Sequence, residues 1–365
     1  MLRRTLPLLA VVLAIPLAFE LGFAIAVETG WVRTQRPSRG GTGFWKGQHP
    51  VFGVWHAPDT VKQHTSRCFR VEYRTNSVGA RDVERSRTAT RPRVVVLGDS
   101  FLEGWGVDES QRLSNRLEAA TGIEHLNFAM AHFGPYQAYL AYRELARHFD
   151  HDAVIVSVVP ASDFRDIDYA AALELGWYEF RYRPYLVGEA PSYQHLDHRE
   201  PGWRRWLRRH SYAFNAVRQA LRNRALRAMP PPTSRFYEFS QREYRRLEAI
   251  LERLVAAADG KPILVLLIPT PADLQRYLAS GQGDPLSARM AGFATRHGVQ
   301  LVNLLPPMAA DLRRAQGYFH DCDIHWNAFG NAVATEALLR RLGPDFPPFD
   351  RGHPADRTEP ADVAD

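Results

Sequence analysis

Short apolar runs alternate with amphipathic segments along most of the chain. Five runs rich in Val, Ile and Leu predict buried strands: RVVVLG, EHLNFA, AVIVSVV, PILVLLI and QLVNLL, which begin at residues 93, 124, 153, 262 and 300. Helical patterns lie between and after them, near 108–120, 135–149, 240–258, 285–297 and 327–341. Continuous apolar strands alternating with helices indicate a parallel sheet covered on both faces. The pattern therefore predicts an α/β fold, a doubly wound sandwich of about five strands.

The first 31 residues form a different pattern. A basic N-terminus precedes an apolar run from Leu6 to Val27 that is interrupted only by Glu20. A signal-peptide core spans about 7 to 15 residues and a membrane span about 20, so the length favours an uncleaved anchor over residues 1–31. A cleaved signal peptide remains the alternative, because Ala24-Ile25-Ala26 provides a small-x-small cleavage site.

Two further segments flank the predicted sheet. Residues 32–90 are rich in Gly, Thr and Arg and predict a linker followed by a β-rich lead-in, in which residues 68–82 alternate like a strand. The tail, residues 344–365, is rich in Pro and Asp and predicts disorder. Residues 91–343 remain for the α/β domain.

An insertion at about residues 165–239 interrupts the alternation of strands and helices. It contains a predicted hairpin at 178–187 and a basic amphipathic helix, or pair of helices, at 201–226. A basic helix with Trp203 and Trp206 has two interpretations. It could lie on a membrane surface, but more often such a helix is a cap whose aromatic side packs on the core while its arginines are solvated.

The charge of the chain limits its partners. The net charge is +6, and lysine occurs only at Lys46, Lys62 and Lys261. Phosphate-binding surfaces usually mix Lys and Arg with interleaved aromatic residues, so we predict no nucleic-acid partner. The histidine-acid clusters at 148–152 and 195–200 lack the ligand spacing of a zinc site, and no metal or other cofactor is expected.

Ser100 follows the first predicted strand of the sheet. Ligands of parallel α/β sheets sit at the carboxyl ends of the strands, and Gly98 permits a sharp turn there. A helix starting after Ser100 would direct its free N–H groups toward an oxyanion. Serine is also a favoured N-cap, so this segment alone leaves two interpretations. Asp99 and Asp163, each near a strand end, are expected to be structural hydrogen-bonding groups.

A histidine and an acid near the other end of the chain complete a candidate triad. A serine nucleophile needs a base, and the base needs an orienting acid. His325 follows the last predicted strand and a loop, Asp323 lies two residues before it, and Asn327 has the position of a helix cap. The sequence therefore predicts Ser100, His325 and Asp323 as catalytic residues, with Asp321 as a reserve candidate for the acid.

At these residues the chain resembles the SGNH, or GDSL, hydrolase superfamily. GDSF at 98–101 resembles its first block and DIHWNAFGN at 323–331 its last. LNFAMAHFGPYQAYL at 126–140 and VVPASDFRD at 158–166 are similar to the second and third blocks, in the right order. The resemblance implies the flavodoxin-like three-layer SGNH fold, Ser100 as nucleophile, and ester hydrolysis or acyl transfer without a cofactor.

The resemblance also implies an oxyanion hole. Its donors would be the backbone of Ser100, the second block through Gly134 or the His132 backbone, and the third block. In the third block the family has an asparagine, whereas this chain has Ser162. The Ser162 hydroxyl can donate one hydrogen bond to the hole or orient a water there, or it can bond only the neighbouring backbone.

The substrate and location follow from the same resemblance. Membrane-tethered members of this superfamily often modify envelope polysaccharides, and some periplasmic relatives transfer acetyl groups to a polymer. This implies a serine esterase acting on O-acyl or O-acetyl groups of an envelope carbohydrate, with an O-acetyltransferase as the alternative. A catalytically idle, carbohydrate-binding scaffold is a third alternative. The catalytic domain would be exported, membrane-anchored by the N-terminal helix or secreted after signal cleavage, and could belong to an envelope polysaccharide-modifying complex.

Cys68 and Cys322 are the only cysteines. Two thiols behind an export-like N-terminus can pair, and the pair would tie the lead-in to the loop that carries Asp323. Two separate buried thiols are the alternative, because the sequence does not fix the distance between them.

Overall fold

The chain forms two compact units. The computed structural model describes residues 2–32, 34, 37, 47–66, 68–171, 183–186, 191–192, 202–228, 233–280, 283–310, 317–342, 346 and 349. Unit 1 comprises Met1–Thr42 and His198–Pro232, and unit 2 comprises Gly43–Asp197 and Thr233–Asp365.

All of the described strands belong to unit 2. In chain order they are β1 (Gly47–His49), β2 (Gly53–Trp55), β3 (Val61–Thr65), β4 (Arg70–Arg74), β5 (Arg93–Leu97), β6 (Glu124–Asn127), β7 (Ala153–Val158), β8 (Tyr185–Leu186), β9 (Pro191–Ser192), β10 (Ile263–Leu267) and β11 (Gln300–Asn303).

The described α-helices are distributed over both units. In chain order they are α1 (Leu2–Glu28), α2 (Ser100–Glu103), α3 (Leu113–Thr121), α4 (Pro135–Glu144), α5 (Pro160–Asp166), α6 (Gly202–His210), α7 (Tyr212–Ala228), α8 (Gln241–Ala258), α9 (Pro271–Ser280), α10 (Pro285–His297), α11 (Leu305–Ala309) and α12 (Ala328–Leu339). Short 3₁₀ turns occur at Glu109–Gln111 and Ala146–His148.

A five-stranded parallel sheet forms the centre of unit 2. Its strand order is β11-β10-β7-β5-β6, and every neighbouring pair is parallel. Helix α3 connects β5 to the edge strand β6, after which the chain runs across the sheet in the opposite direction through β7, β10 and β11. Right-handed crossovers in the two directions place α3 on one face and α4, α8 and α10 on the other. Accordingly, α3 packs against α12, while α4 and α10 pack against α8. The predicted doubly wound α/β sandwich is confirmed.

The hydrophobic pattern of the strands follows from their burial. β5, β6, β7 and β10 are buried at every position. Strands covered by helices on both faces bury both sets of alternating side chains, so they appear in the sequence as nearly continuous apolar runs. The five predicted runs therefore coincide with the five strands of the sheet.

The β-rich lead-in contains an antiparallel hairpin, β3–β4, and a loop that supports the candidate site. The loop's Arg81 is 1% exposed, and its guanidinium donates to the Glu103 and Gly104 carbonyl oxygens at 2.8 and 2.6 Å. These carbonyls lie at the end of α2, so a buried arginine from the lead-in fixes the turn that follows Ser100. The predicted strand character of residues 68–82 is limited to β4.

Unit 1 is built from the N-terminal helix and two helices of the insertion, and its hydrogen bonds join α1 to α7. The sequence predicts one helix or a pair of helices at 201–226, and the structure has the pair, α6 and α7. The expectation that the aromatic side of the basic helix packs on the core is wrong, because Trp203 and Trp206 are 58% and 59% exposed. Among the described residues, no helix combines the length and apolar character needed to cross a membrane.

Two further predictions fall partly outside the described residues. The predicted hairpin at 178–187 is described only at residues 183–186, where β8 pairs antiparallel with β9. In the tail, Phe346 is fully buried in the core of unit 2, so the prediction of disorder does not hold at that position. The remainder of the tail from residue 350 lies outside the described residues.

Candidate active site

Ser100 lies at the carboxyl end of strand β5, between β7 and the edge strand β6. A Cβ atom at Gly98 would lie 2.1 Å from the Ser157 Oγ, so the close approach of β5 and β7 requires a glycine there. Asp99 caps α2 by accepting a hydrogen bond from the Phe101 amide at 3.0 Å. The Ser100 hydroxyl is therefore not needed as the helix cap, and within the described part of the chain the Ser100 amide donates to no acceptor.

The structure brings together the three side chains that the sequence selects. The Ser100 Oγ lies 2.7 Å from the His325 Nε2, and the His325 Nδ1 lies 2.5 Å from the Asp323 Oδ1. Asp321, the reserve candidate, is exposed and takes no part in this chain of hydrogen bonds. Burial raises the pKa of Asp323, but the hydrogen bond and charge of His325 outweigh it and lower that pKa to about 2.

The loop that carries His325 and Asp323 folds back on itself. Phe319 pairs with Trp326 in an isolated antiparallel bridge, and the His320 amide donates to the His325 carbonyl at 3.0 Å. Asn327 caps α12 through its side-chain oxygen, while its amide nitrogen donates to two carbonyls of the same loop. The turn needed to bring Asp323 beside His325 is thus closed by hydrogen bonds inside the loop.

Trp105 is a site residue that the sequence reasoning missed. Its indole Nε1 donates to the Asp323 Oδ2 at 3.1 Å, and its ring centroid is 5.3 Å from that of His325. On its other side it contacts His64 of β3 edge-on at 4.4 Å. The only sequence signal was its position five residues after the serine, which has no chemical meaning until the loop of Asp323 is placed beside it.

A disulfide fixes the Asp323 loop to the lead-in. Cys68 and Cys322 are bonded, with a Cα–Cα distance of 5.8 Å and a sequence separation of 254 residues. The structure thus has the paired form of the two alternatives. Cys322 directly precedes Asp323, so the crosslink holds the acid of the candidate triad against the hairpin β3–β4.

The loop before α4 contains the two predicted backbone donors, His132 and Gly134. The Gly134 amide donates to the Gln137 side chain at 3.2 Å, which commits it to the start of its own helix. His132 has a left-handed φ of 70°. The Ala131 amide donates to the Glu103 carboxylate at 2.6 Å, and that carboxylate also bonds the fully buried His56 at 3.0 Å.

Ser162 lies on α5, which follows β7 next to β5. Its hydroxyl donates to the Val159 carbonyl at 3.2 Å. The structure therefore has the second of the two arrangements considered for Ser162, a hydrogen bond to the neighbouring backbone, and the hydroxyl proton is not directed at an oxyanion.

Asp99 and Asp163 act as hydrogen-bond acceptors for the backbone. The Asp163 Oδ2 accepts from the Val159 amide at 2.7 Å. Burial raises the pKa of Asp99 to about 7, and burial together with the charge of Asp99 raises the pKa of Asp163. The buried environment of these two carboxyls thus disfavours their charged forms. Within the described residues, no group of three or more His, Cys, Asp or Glu side chains is placed to hold a metal ion.

No protein-family model and no curated protein matches the chain. Among solved structures, a lipolytic protein of the G-D-S-L family from Veillonella parvula is 9% identical, with 68% of this chain and 96% of that one covered and a TM-score of 0.38. A lipase/acylhydrolase from Enterococcus faecalis is 11% identical, with 69% of this chain and 95% of that one covered and a TM-score of 0.37. TesA is 15% identical, with 70% of this chain and 99% of TesA covered and a TM-score of 0.39. Such distant likeness carries no inference about activity, so a chemical assignment has to come from the site itself.

Proposed function

We propose that the protein is a serine esterase that uses Ser100, His325 and Asp323. The observation that carries this proposal is the continuous hydrogen-bond chain from the Ser100 Oγ to the His325 Nε2 and from the His325 Nδ1 to the Asp323 carboxylate. A serine used only as a helix cap would not need a histidine, and here Asp99 already caps the helix. The same intact chain argues against a catalytically idle scaffold.

The geometry supports a two-step acyl transfer. The Ser100 oxygen attacks the ester carbonyl carbon while the His325 Nε2 takes the hydroxyl proton, and the proton then passes to the leaving alcohol as the C–O bond breaks. Water attacks the acyl-enzyme with His325 again as base, which releases the acid and restores the serine. Asp323 remains ionised throughout and stabilises the imidazolium through the Nδ1–H.

The oxyanion is assigned to backbone donors. The Ser100 amide lies at the N-terminus of α2 beside the nucleophile, where an N–H group can stabilise the developing charge. For the second donor we assign the backbone of His132, rather than Gly134, whose amide is committed to Gln137. Ser162 is left out of the hole because its hydroxyl donates to Val159.

For the substrate we propose O-acyl or O-acetyl groups of an envelope carbohydrate, with the catalytic domain exported. The disulfide Cys68–Cys322 supports an oxidising compartment, because such bonds persist outside the reducing cytosol. Ser100 is partly exposed, which is compatible with an ester carried on a larger molecule. Transfer of the acyl group to a second hydroxyl would use the same three side chains.

The test is turnover of a soluble acetyl ester by the full chain. Wild type should hydrolyse it, and Ser100→Ala should lower kcat by roughly 10⁴-fold or more. Ser86→Ala, at an exposed serine outside the site, is the matched control and should retain activity. No turnover by wild type would contradict the proposal.

A second measurement separates hydrolysis from transfer. Acetate release from an O-acetylated oligosaccharide is followed while an unacetylated glycan is added. An esterase should release acetate at an unchanged rate. A transferase should release less acetate, and the decrease should equal the amount of acetylated glycan formed.

A further inference from the structure

The positive charge of the chain is concentrated in one short segment. The part of the insertion in unit 1, His198–Pro232, contains nine arginines and one acid, Glu200, and carries a net charge of +8. The whole chain carries only +6, so the remaining 330 residues have a net charge of −2. An arginine bias of composition would be spread along the chain, so this segment needs a local explanation.

The basic segment is joined to the apolar N-terminal helix within unit 1. Glu20, the single acid inside the apolar run, accepts hydrogen bonds from the Ser211 hydroxyl at 2.7 Å and from the Ala213 and Tyr212 amides at the start of α7. Glu28 accepts from the Tyr212 hydroxyl at 2.9 Å. A carboxylate placed at a helix N-terminus satisfies its free N–H groups and its dipole, so Glu20 attaches α1 to α7.

The same unit exposes most of the large apolar side chains that the described residues leave in solvent. Those between 50% and 87% exposed in unit 1 are Ile15, Leu17, Phe19, Leu21, Ile25, Trp31, Trp203, Trp206, Val217 and Leu221. A soluble surface rarely exposes so many large apolar side chains within one compact unit, and such exposure marks a contact with a membrane or a partner.

Helix α6 combines the two properties. Its sequence, GWRRWLRRH, contains four arginines and no acid. The Arg204 guanidinium lies 5.1 Å from the Trp203 ring centroid, and the Trp206 ring is stacked on His210. Arginine beside tryptophan suits the boundary between lipid headgroups and acyl chains, where the indole is partly buried and the guanidinium reaches a phosphate.

We propose that unit 1 binds the surface of an anionic lipid bilayer. The exposed tryptophans and aliphatic side chains enter the headgroup and upper acyl region, and the arginines of α6 contact lipid phosphates. Charge complementarity selects an anionic bilayer over a neutral one. A nucleic acid would also attract the arginines, but it offers no apolar interior in which exposed Ile, Leu and Val side chains are buried. This binding does not depend on the esterase assignment.

The test is co-sedimentation of the full chain with phosphatidylcholine vesicles, with and without about one third phosphatidylglycerol. Wild type should bind the anionic vesicles more tightly, and added salt should weaken this preference. The triple variant Arg204→Gln, Arg208→Gln and Arg209→Gln should lose about fivefold per arginine, or about a hundredfold in affinity for anionic vesicles. Its binding to neutral vesicles should not change.

The matched control removes the same charge from unit 2. Arg242→Gln, Arg245→Gln and Arg341→Gln replace three exposed arginines and should leave vesicle binding unchanged. Equal loss in both triple variants would show a net-charge effect and overturn the proposal.

The apolar half is tested separately. Trp203→Ala with Trp206→Ala should weaken binding to both kinds of vesicle, because each indole buries apolar area in the bilayer. Unchanged binding would show that the tryptophans do not enter the bilayer and would overturn the proposal. Equal wild-type affinity for neutral and anionic vesicles, or tighter binding to a duplex oligonucleotide than to anionic vesicles, would overturn the proposal itself.

Discussion

The two ends of the candidate triad are built in different ways. Ser100 directly follows β5, one of the fully buried strands of the sheet, and it is placed by β5, by the neighbouring β7 and by the buried Arg81 of the lead-in. His325 and Asp323 lie in the loop directly before α12, and that loop is held by Cys68, by Trp105 and by its own turns. The sheet therefore largely determines the position of Ser100, whereas the positions of His325 and Asp323 depend on contacts of their loop with residues far away in sequence.

This difference predicts where the site is vulnerable. A sheet strand buried on both sides tolerates the loss of one contact, because many others hold the same backbone. A loop held by a few crosslinks moves when one of them is removed, and a displacement of about 1 Å at a catalytic group can cost about 10²-fold in rate.

The largest effect is expected from Asp323→Asn. The amide keeps the shape of the side chain but cannot stabilise the imidazolium or hold the same tautomer, so kcat should fall by about 10⁴-fold without loss of folding. Asp321→Asn, at the exposed neighbour, is the control and should leave kcat unchanged. A fall below tenfold at Asp323 would remove it as the orienting acid.

The pH dependence follows from the pKa of Asp323, which is lowered to about 2. Because this pKa lies below the unfolded value of about 3.9, the carboxylate contributes stability above that value, which is lost as the pH falls through about 2. Asp323 therefore stays ionised above about pH 4, and a fall in kcat/KM measured above that pH should not arise from protonation of Asp323.

Removal of the disulfide should have the next largest effect. Cys322→Ser opens the 254-residue crosslink and should cost about 2–5 kcal/mol in the free energy of unfolding. Since Asp323 follows directly, kcat should also fall, by up to about 10²-fold. Reduction of wild type with dithiothreitol should reproduce both changes, and a fall in Tm with kcat unchanged would show that the loop keeps its place without the bond.

A smaller effect is expected from Trp105→Phe. Phenylalanine keeps an aromatic ring but is smaller than the indole and lacks its N–H, so the hydrogen bond to Asp323 is lost. A hydrogen bond to a charged group contributes about 1.5 kcal/mol at the lower end of its range, so kcat should fall by at least about tenfold. Trp55→Phe is the matched control, because the Trp55 indole donates to the Val78 carbonyl at 2.9 Å away from the triad. The control should lower Tm and spare kcat, and an equal loss of kcat in both variants would contradict a specific role for Trp105.

The smallest effect is expected at Ser162. Its hydroxyl bonds the Val159 carbonyl, so Ser162→Ala should change kcat by less than about threefold. Steady-state kinetics at saturating substrate will measure it. A loss of tenfold or more would show that the hydroxyl turns to the oxyanion in the transition state.

Sequence reasoning predicted all three residues of the candidate triad because each group of signals is local, GDS at 98–100 and DIH at 323–325. An apolar run, a glycine and a serine at a strand end are visible within ten residues, and the alternation of runs and helices fixed the sheet. Trp105 was missed because its role depends on a loop more than two hundred residues away. The same distance left the pairing of Cys68 with Cys322 open until the hairpin and the loop were placed together.

The insertion shows the opposite failure, in which a common pattern was assigned its commonest meaning. An amphipathic basic helix usually packs its aromatic side on a core, but Trp203 and Trp206 are exposed. The sequence did contain the missing signal, since the charge of His198–Pro232 exceeds that of the whole chain. A local charge sum would have separated this segment from the rest.

The central claim is that Ser100 is a nucleophile activated by His325. The most direct measurement is labelling of the full chain with a serine-reactive phosphonate at neutral pH, followed by peptide mapping. An unassisted serine is a weak nucleophile, so the account predicts a single adduct on Ser100 in wild type and none in His325→Ala. Equal labelling of Ser100 in the two proteins, or no labelling of Ser100 in wild type, would contradict it.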